Sequence, residues 1–234
     1  MKIEGAVVLV TGANRGLGLQ FAQQSLARGA KKVYAAARNP SSVTLAGVTP
    51  VKLDVTHAAD VTAAAEHCGD VTLLINNAGI ARVASVTQAE GAAALREQLE
   101  TNVFGMLAMS RAFAGILGGH GGGAMLNILS VLSWVNTPAI GGYGVSKAAA
   151  WTLTNALRHE LRAQGTQVVG FHAGYIDTDL TRGFDIAKAT PEDVVHQALD
   201  AVEAGDEEVM VDELTRRVKQ GLSHSLYLKD VMGG

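Results

Sequence analysis

The sequence predicts an α/β fold, a doubly wound and mainly parallel sheet of seven strands, and three observations carry that expectation. Short β-branched runs alternate with longer Ala-rich amphipathic segments. The runs are apolar throughout rather than at every second residue, as strands covered on both faces are. Glycines gather where a strand gives way to a helix. Repeated strand, helix, strand order is the pattern of a parallel sheet with right-handed crossovers. At 234 residues, 48% hydrophobic and 18% charged, the chain has material for a sizeable core and suits one domain over residues 1–234.

Strands are expected at Ala6 to Thr11, Lys32 to Ala37, Thr49 to Leu53, Val71 to Asn76, Ala124 to Leu129, Gln167 to Ala173 and Glu208 to Val211. Helices are expected at Gly16 to Arg28, Ala58 to His67, Ala92 to Leu117, Tyr143 to Ala163 and Pro191 to Ala204. The last is opened by Thr190 as N-cap, with Pro191 and Glu192 in the first turn. Neither an internal repeat nor a flexible linker interrupts the order.

Composition excludes several classes of partner. A net charge of -3, from 19 Lys+Arg against 22 Asp+Glu, leaves no basic surplus for a phosphate backbone, so nucleic acid is not expected as a partner. The longest charge-free stretch, Ala112 to Ser146, contains Gly121, Gly122, Gly123, Asn127, Asn136 and Pro138, too polar and too broken for a membrane span. The start runs at once into the apolar Ala6 to Val10, so no signal peptide is expected and a soluble cytoplasmic protein is. Cys68 has no second cysteine to pair with and reads as a small apolar residue at a helix end. The seven histidines lie apart without ligand spacing, so no metal is expected.

Chemistry concentrates at the strand ends. The first junction reads Thr11-Gly12-Ala13-Asn14-Arg15-Gly16-Leu17-Gly18, straight after a buried strand and opening a helix. Glycine there permits the tight turn, lets backbone approach a pyrophosphate and exposes helix N-terminal amides to an anion. The second strand ends without an acid and is followed by Arg38. A carboxylate at that place selects NAD by holding the ribose hydroxyls and would repel a 2′-phosphate, whereas a guanidinium pairs with one. Arg15, inside the glycine turn, is a second cation beside the expected phosphate. Tyr143 and Lys147 stand four apart, on one face of a helix, where the ammonium is expected to stabilise a phenolate and bring the phenol nearer neutral pH.

The glycine spacing with Thr11 in front, Asn76-Asn77-Ala78-Gly79 after the fourth strand, Asn102 in the long helix, Ser130 at the end of the fifth strand and the Tyr143-x-x-x-Lys147 pair come in one order. In these five features the chain resembles the short-chain dehydrogenase/reductase family of the classical type, from about Ala6 to Val211. The resemblance implies a Rossmann-like fold and an NADP(H)-dependent oxidoreductase that moves a hydride between nicotinamide and a small carbonyl or secondary alcohol. It implies that Tyr143 is the proton donor and that Ser130 hydrogen-bonds the substrate oxygen. Lys147 would lower the tyrosine and bind the nicotinamide ribose, and Asn102 would hold a water beyond the lysine. Cofactor contacts are implied at Gly12, Asn14, Arg15, Gly16, Leu17, Gly18 and Arg38, at Asp54 and Val55 beside the adenine, and at Asn76, Ala78 and Gly79.

The segment His172-Ala173-Gly174-Tyr175-Ile176-Asp177-Thr178 resembles the family's Pro-Gly-x-x-x-Thr, with alanine in place of proline. It adds Gly174, Ile176 and Thr178 to the implied cofactor contacts; His172 reads as a packed strand-end histidine. Ser133 reads as part of the substrate mouth, whose walls are expected from Ala81 to Val86, Ser133 to Gly142 and Tyr175 to Ile186, with Trp134, Val135, Leu180 and Phe184 making it moderately apolar. The short stretch between Thr178 and Pro191 implies an open pocket. In the family the two long helices pair about a two-fold axis, which implies a homodimer or homotetramer. Two other readings stay beside this one: a catalytically silent NADP(H)-binding redox sensor, and a nucleotide-sugar epimerase or dehydratase. Retention of Ser130, Tyr143, Lys147 and Asn102 argues against the first, and the short segment after Thr178 against the second.

Overall fold

The computed structural model describes residues 1–183, 185–229 and 231, without the side chains of Ala139 and Leu180. Seven strands, β1 (Val7–Thr11), β2 (Lys32–Ala37), β3 (Thr49–Lys52), β4 (Leu73–Asn76), β5 (Ala124–Ile128), β6 (Gln167–His172) and β7 (Glu208–Met210), form one sheet in the order β3-β2-β1-β4-β5-β6-β7. Every neighbouring pair is parallel, so the sheet is parallel throughout rather than mainly so. The order reverses between β1 and β4, and a crevice opens at the carboxyl ends of the strands, where such sheets bind ligands.

The apolar runs are explained by a core on each face. Along β1, Val8 and Val10 point into a cluster with Phe21, Val194, Val195, Leu199 and Phe171. Val7 and Leu9 point the other way, toward Val61, Met109, Phe113, Leu117 and Leu157. Helices α1 (Gly16–Ala27) and α6 (Pro191–Ala204) therefore cover one face, and α2 (Ala58–His67), α4 (Met106–Gly119) and α5 (Gly141–Leu161) the other. Phe21 meets Phe171 edge to face, with centroids 6.4 Å apart. Thr190 caps α6 by accepting from the Asp193 N–H at 3.1 Å, and Gly205 ends it in the left-handed conformation.

Two features depart from the sequence expectation. The segment expected as one helix from Ala92 to Leu117 is α3 (Gly91–Leu99), a π-helical turn over Glu100–Gly105, and then α4. The π turn carries Asn102 inward, and Gly105 comes so close to Val55 that a Cβ there would sit 2.6 Å from its Cγ2. A further helix, α7 (Glu213–Gly221), follows β7. Asp212 caps it, accepting from the Thr215 N–H at 2.8 Å, and its other oxygen accepts from the Gly174 N–H at 2.6 Å. Helix α7 is thereby tied to the loop that leaves β6.

Candidate active site

A cleft of about 670 Å³ runs across the carboxyl ends of the strands. At one end lies the turn from Gly12 to Gly18, with Gly12 and Gly16 at positive φ. Gly18 packs so tightly under this turn that a Cβ would fall 2.2 Å from the Gly12 carbonyl oxygen, which forces glycine there. The turn is held from β4. Asn77 Nδ2 donates to the carbonyls of Thr11 at 2.8 Å and Gly12 at 3.2 Å, while Thr11 Oγ1 accepts from the N–H groups of Asn77 and Ala78. Helix α1 starts at Gly16 without a side-chain cap, so its first amides are left to face the cleft.

Along the wall, Ala37 ends β2 and Arg38 follows it, and Asp54, Val55 and Thr56 follow β3. The Thr56 hydroxyl and N–H hold the Asp54 carboxyl below its ordinary range against the opposing effect of burial, and Arg38 nearby adds to the lowering. Arg15 is 71% exposed and its Nη1 lies 3.2 Å from Asp179 Oδ2; Asp179 also pairs with Arg182. The structure brings Gly12, Asn14, Arg15, Gly16, Leu17, Gly18, Arg38, Asp54, Val55, Ala78, Gly79, Gly174, Ile176 and Thr178 to this cleft together.

Amides at a helix start, a glycine turn that clears the approach and a second strand without an acid fit a dinucleotide whose ribose carries a phosphate. Among the described residues no group of His, Cys, Asp or Glu is placed to hold a metal ion, and no helix is long and apolar enough to cross a membrane.

At the other end Ser130, Tyr143 and Lys147 meet. Ser130 is extended (φ -164, ψ 161) at the end of β5 and caps a short 3₁₀ turn, its Oγ accepting from the Leu132 N–H at 3.1 Å. Burial pushes the Tyr143 phenol up to about 12, and the hydrogen bond with Ser130 only partly offsets this. Lys147, 5% exposed, lies in α5 one turn further on; its Nζ donates to the Ile128 carbonyl at 2.7 Å and sits 5.6 Å from the Tyr143 ring centre. Burial lowers this ammonium to about 8. The expected lowering of the phenol by Lys147 is not seen here: the ammonium bonds the Ile128 carbonyl, and burial sets the direction of the Tyr143 shift.

Some expected residues stand behind the cleft rather than in it. Asn76 is buried, its Nδ2 donating to Asn127 Oδ1 at 2.8 Å and Ser110 Oγ at 3.2 Å; it is Asn77 that lines the cleft. Both residues belong to the same quoted motif, and the strand's alternation turns only one of them outward. Asn102 is 1% exposed; its Oδ1 accepts from the Ile80 N–H at 2.8 Å, and its Nδ2 donates to the Ile80 carbonyl and to Ser146 Oγ, both at 2.9 Å.

Ser133, expected at the substrate mouth, is instead buried with an unpartnered hydroxyl. The 3₁₀ turn that Ser130 caps rotates Ser133 inward. Among the described residues none from Ser133 to Gly142 lines the cleft; Arg82, Ile176, Thr178, Asp179 and Thr181 do, while Phe184 and the Leu180 side chain lie outside the described residues. The wall also takes Ile80, Glu97 of α3, and Glu100 and Thr101 of the π turn, which carry no sequence signal of a cleft because these segments reach it only through packing.

A sequence profile described as short chain dehydrogenase matches residues 6–188. A short chain dehydrogenase from Burkholderia cenocepacia J2315, solved in complex with NADP, is 38% identical and superposes with a TM-score of 0.93, covering 98% of this chain and 100% of that one. A gluconate 5-dehydrogenase from the same organism, in complex with NADP and tartrate, is 25% identical with a TM-score of 0.82 over 95% and 97% of the two chains. Galactitol 2-dehydrogenase (L-tagatose-forming) of Cereibacter sphaeroides is 35% identical over 191 residues, 77% of this chain and 75% of that protein. A Rossmann-like parallel sheet with the glycine turn at one end of its cleft and Ser130, Tyr143 and Lys147 at the other, matched over most of its length by such relatives, belongs to the short-chain dehydrogenase/reductase family of the classical type.

Proposed function

We propose that residues 1–234 act as one catalytic domain, an NADP(H)-dependent oxidoreductase that interconverts a carbonyl and a secondary alcohol on a small molecule. The observation that carries this reading is the meeting of Ser130, Tyr143 and Lys147 at the far end of the cleft that starts at the glycine turn. The NADP in two similar structures supports the choice of cofactor, as do Arg15 and Arg38 on the cleft wall. Bound NADP(H) supplies or accepts the hydride.

The chain's own residues do the rest. The first amides of α1 bind the pyrophosphate, Arg38 the 2′-phosphate, and Asp54 and Val55 the adenine; Gly174, Ile176 and Thr178 hold the nicotinamide end. Lys147 binds the nicotinamide ribose. Ser130 Oγ, fixed by the Leu132 N–H, would hydrogen-bond the substrate oxygen, and Tyr143 would transfer the single proton to it as the hydride adds to carbon. Burial holds the phenol above its ordinary value, so Tyr143 carries its proton near neutral pH, the form a proton donor needs. Asn102 keeps the Ile80 loop against α5, and the water that continues the proton path from Lys147 bonds to an oxygen of Asn102, because both of its amide hydrogens are taken.

A panel of a steroid ketone, a quinone, a small aldehyde, a β-keto ester and a ketose, followed by NADPH absorbance, tests the reading. Turnover of at least one member is expected; tight NADPH binding with no turnover would replace it with the redox-sensor reading. Assembly is part of the same proposal, as a cytoplasmic homodimer or homotetramer joined through α4 and α5. Phe104 in the π turn just before α4 and Val145 in α5, 54% and 43% exposed, support it. Light scattering that finds only a 24.3 kDa particle at micromolar concentration would overturn it.

A further inference from the structure

His172 ends β6 and is fully buried directly behind Ser130. Its Nδ1 lies 3.1 Å from the Ser130 carbonyl oxygen, an acceptor only, so Nδ1 carries the proton and donates it. Trp134 stacks on the ring with centroids 4.0 Å apart and planes at 20°, while Nε2 makes no hydrogen bond, the Glu208 carboxylate lying 3.5 Å from it. Glu208 is held in turn by Lys219 of α7 at 2.8 Å, and the Lys219 ammonium caps the other side of this column, 4.6 Å from the Trp134 ring centre. The Ser130 carbonyl also accepts from the Ser133 N–H at 3.0 Å. Two donors on one carbonyl fix the ψ of Ser130, and ψ together with the Leu132 bond to Oγ sets where its hydroxyl points.

We propose that His172 is a positioning residue for Ser130: through the bond from Nδ1 to the Ser130 carbonyl it aims the serine hydroxyl at Tyr143 and the substrate oxygen, with Trp134, itself covered by the Lys219 ammonium, stacked against the ring. The inference rests on the role given to Ser130 above. It makes α7, outside the residues matched by the family profile, part of the support of the site.

The test exploits two isosteres. The amide nitrogen of asparagine can take the place of Nδ1, whereas that of glutamine takes the place of Nε2 and leaves the Ser130 carbonyl without its second donor. Turnover of the panel's fastest carbonyl with NADPH is measured for His172→Asn, His172→Gln and Ser130→Ala. His172→Asn is expected to stay within about threefold of wild type, and His172→Gln to lose about tenfold or more in kcat with the KM for NADPH unchanged. A side chain that only fills space would give the opposite order or equal losses, and either result overturns the proposal. Near-normal kcat in Ser130→Ala would instead remove the role of Ser130, and this inference with it. Long-range ¹H–¹⁵N NMR of the wild type, with the His172 signal assigned by its loss in the Asn variant, provides a readout that needs no variant to turn over. A protonated Nδ1 is expected, and a bare Nδ1 overturns the proposal.

Discussion

The two ends of the cleft solve opposite problems. At the glycine turn the groups that face an anion are backbone amides and solvated arginines, with Arg15 71% exposed. At the far end Ser130 is 6% and Lys147 5% exposed. Charge at the wet end is cheap to keep and weak in effect, screened by salt within about 10 Å. Charge at the dry end is costly, so the environment moves the titration of Tyr143 and Lys147 in opposite directions, up to about 12 and down to about 8. Binding preference therefore resides where side chains are individually dispensable, and chemistry where removing a single atom is felt.

Removing the Tyr143 hydroxyl should draw this contrast most sharply. Tyr143→Phe is expected to lower kcat by about a hundredfold or more while leaving the Kd for NADPH within about twofold, since a proton donor contributes about 10² to 10⁴. Retention of more than a tenth of the wild-type rate would take the donor role from Tyr143. Ser130→Ala should cost nearly as much.

Lys147 gives the dry end a signature in stability. Its folded value, about 8, lies below the ordinary 10.5, so below pH 8 a charged lysine is buried at a cost, and above 10.5 it is neutral whether folded or unfolded. Its favourable contribution is thus present above 10.5 and is lost as pH falls through 8. The stability of wild type minus that of Lys147→Met should rise by up to about 3 kcal/mol between pH 7 and 10.5, read by urea unfolding across that range. A flat difference would mean that the ammonium is solvated.

The wet end should respond more gently. The wild type is expected to bind NADPH at least about tenfold tighter than NADH, roughly 1.4 kcal/mol, with the preference shrinking at high salt. Ala37→Asp/Arg38→Ala should abolish or invert it; equal wild-type affinities would refute the role of Arg38. The smallest effect belongs to Ser133→Ala. Because its buried hydroxyl has no partner, the variant should keep kcat within about twofold and match or exceed wild-type stability. A large loss would return Ser133 to the substrate mouth.

Much of this architecture can be read from local pattern, and the reason is visible in β1. Its run of apolar residues is needed because alternate side chains enter cores on opposite faces, and only a parallel sheet between helices has two such faces. The glycine turn is legible for a similar reason, since no side chain fits at Gly18 and positive φ is required at Gly12 and Gly16. Helix α7 was not legible. It is short and largely polar, and it is stabilised by Asp212, which also holds the loop after β6, and by the Lys219 contact with Glu208 of β7.

By itself, then, the sequence determined the strand order of events along the chain, the glycine turn, the absence of an acid after β2 and the spacing that puts Tyr143 and Lys147 on one helical face. Each is a property of adjacent residues, set by backbone sterics and periodicity. Tertiary structure alone decided that Asn77 rather than Asn76 faces the cleft, that Ser133 turns inward and that a π turn carries Asn102 to Ile80 and Ser146. It also decided that Lys147 answers to the Ile128 carbonyl and that His172 stands behind Ser130. These outcomes depend on desolvation and on hydrogen bonds between residues far apart in the chain, and both come into being only when the sheet closes and water leaves.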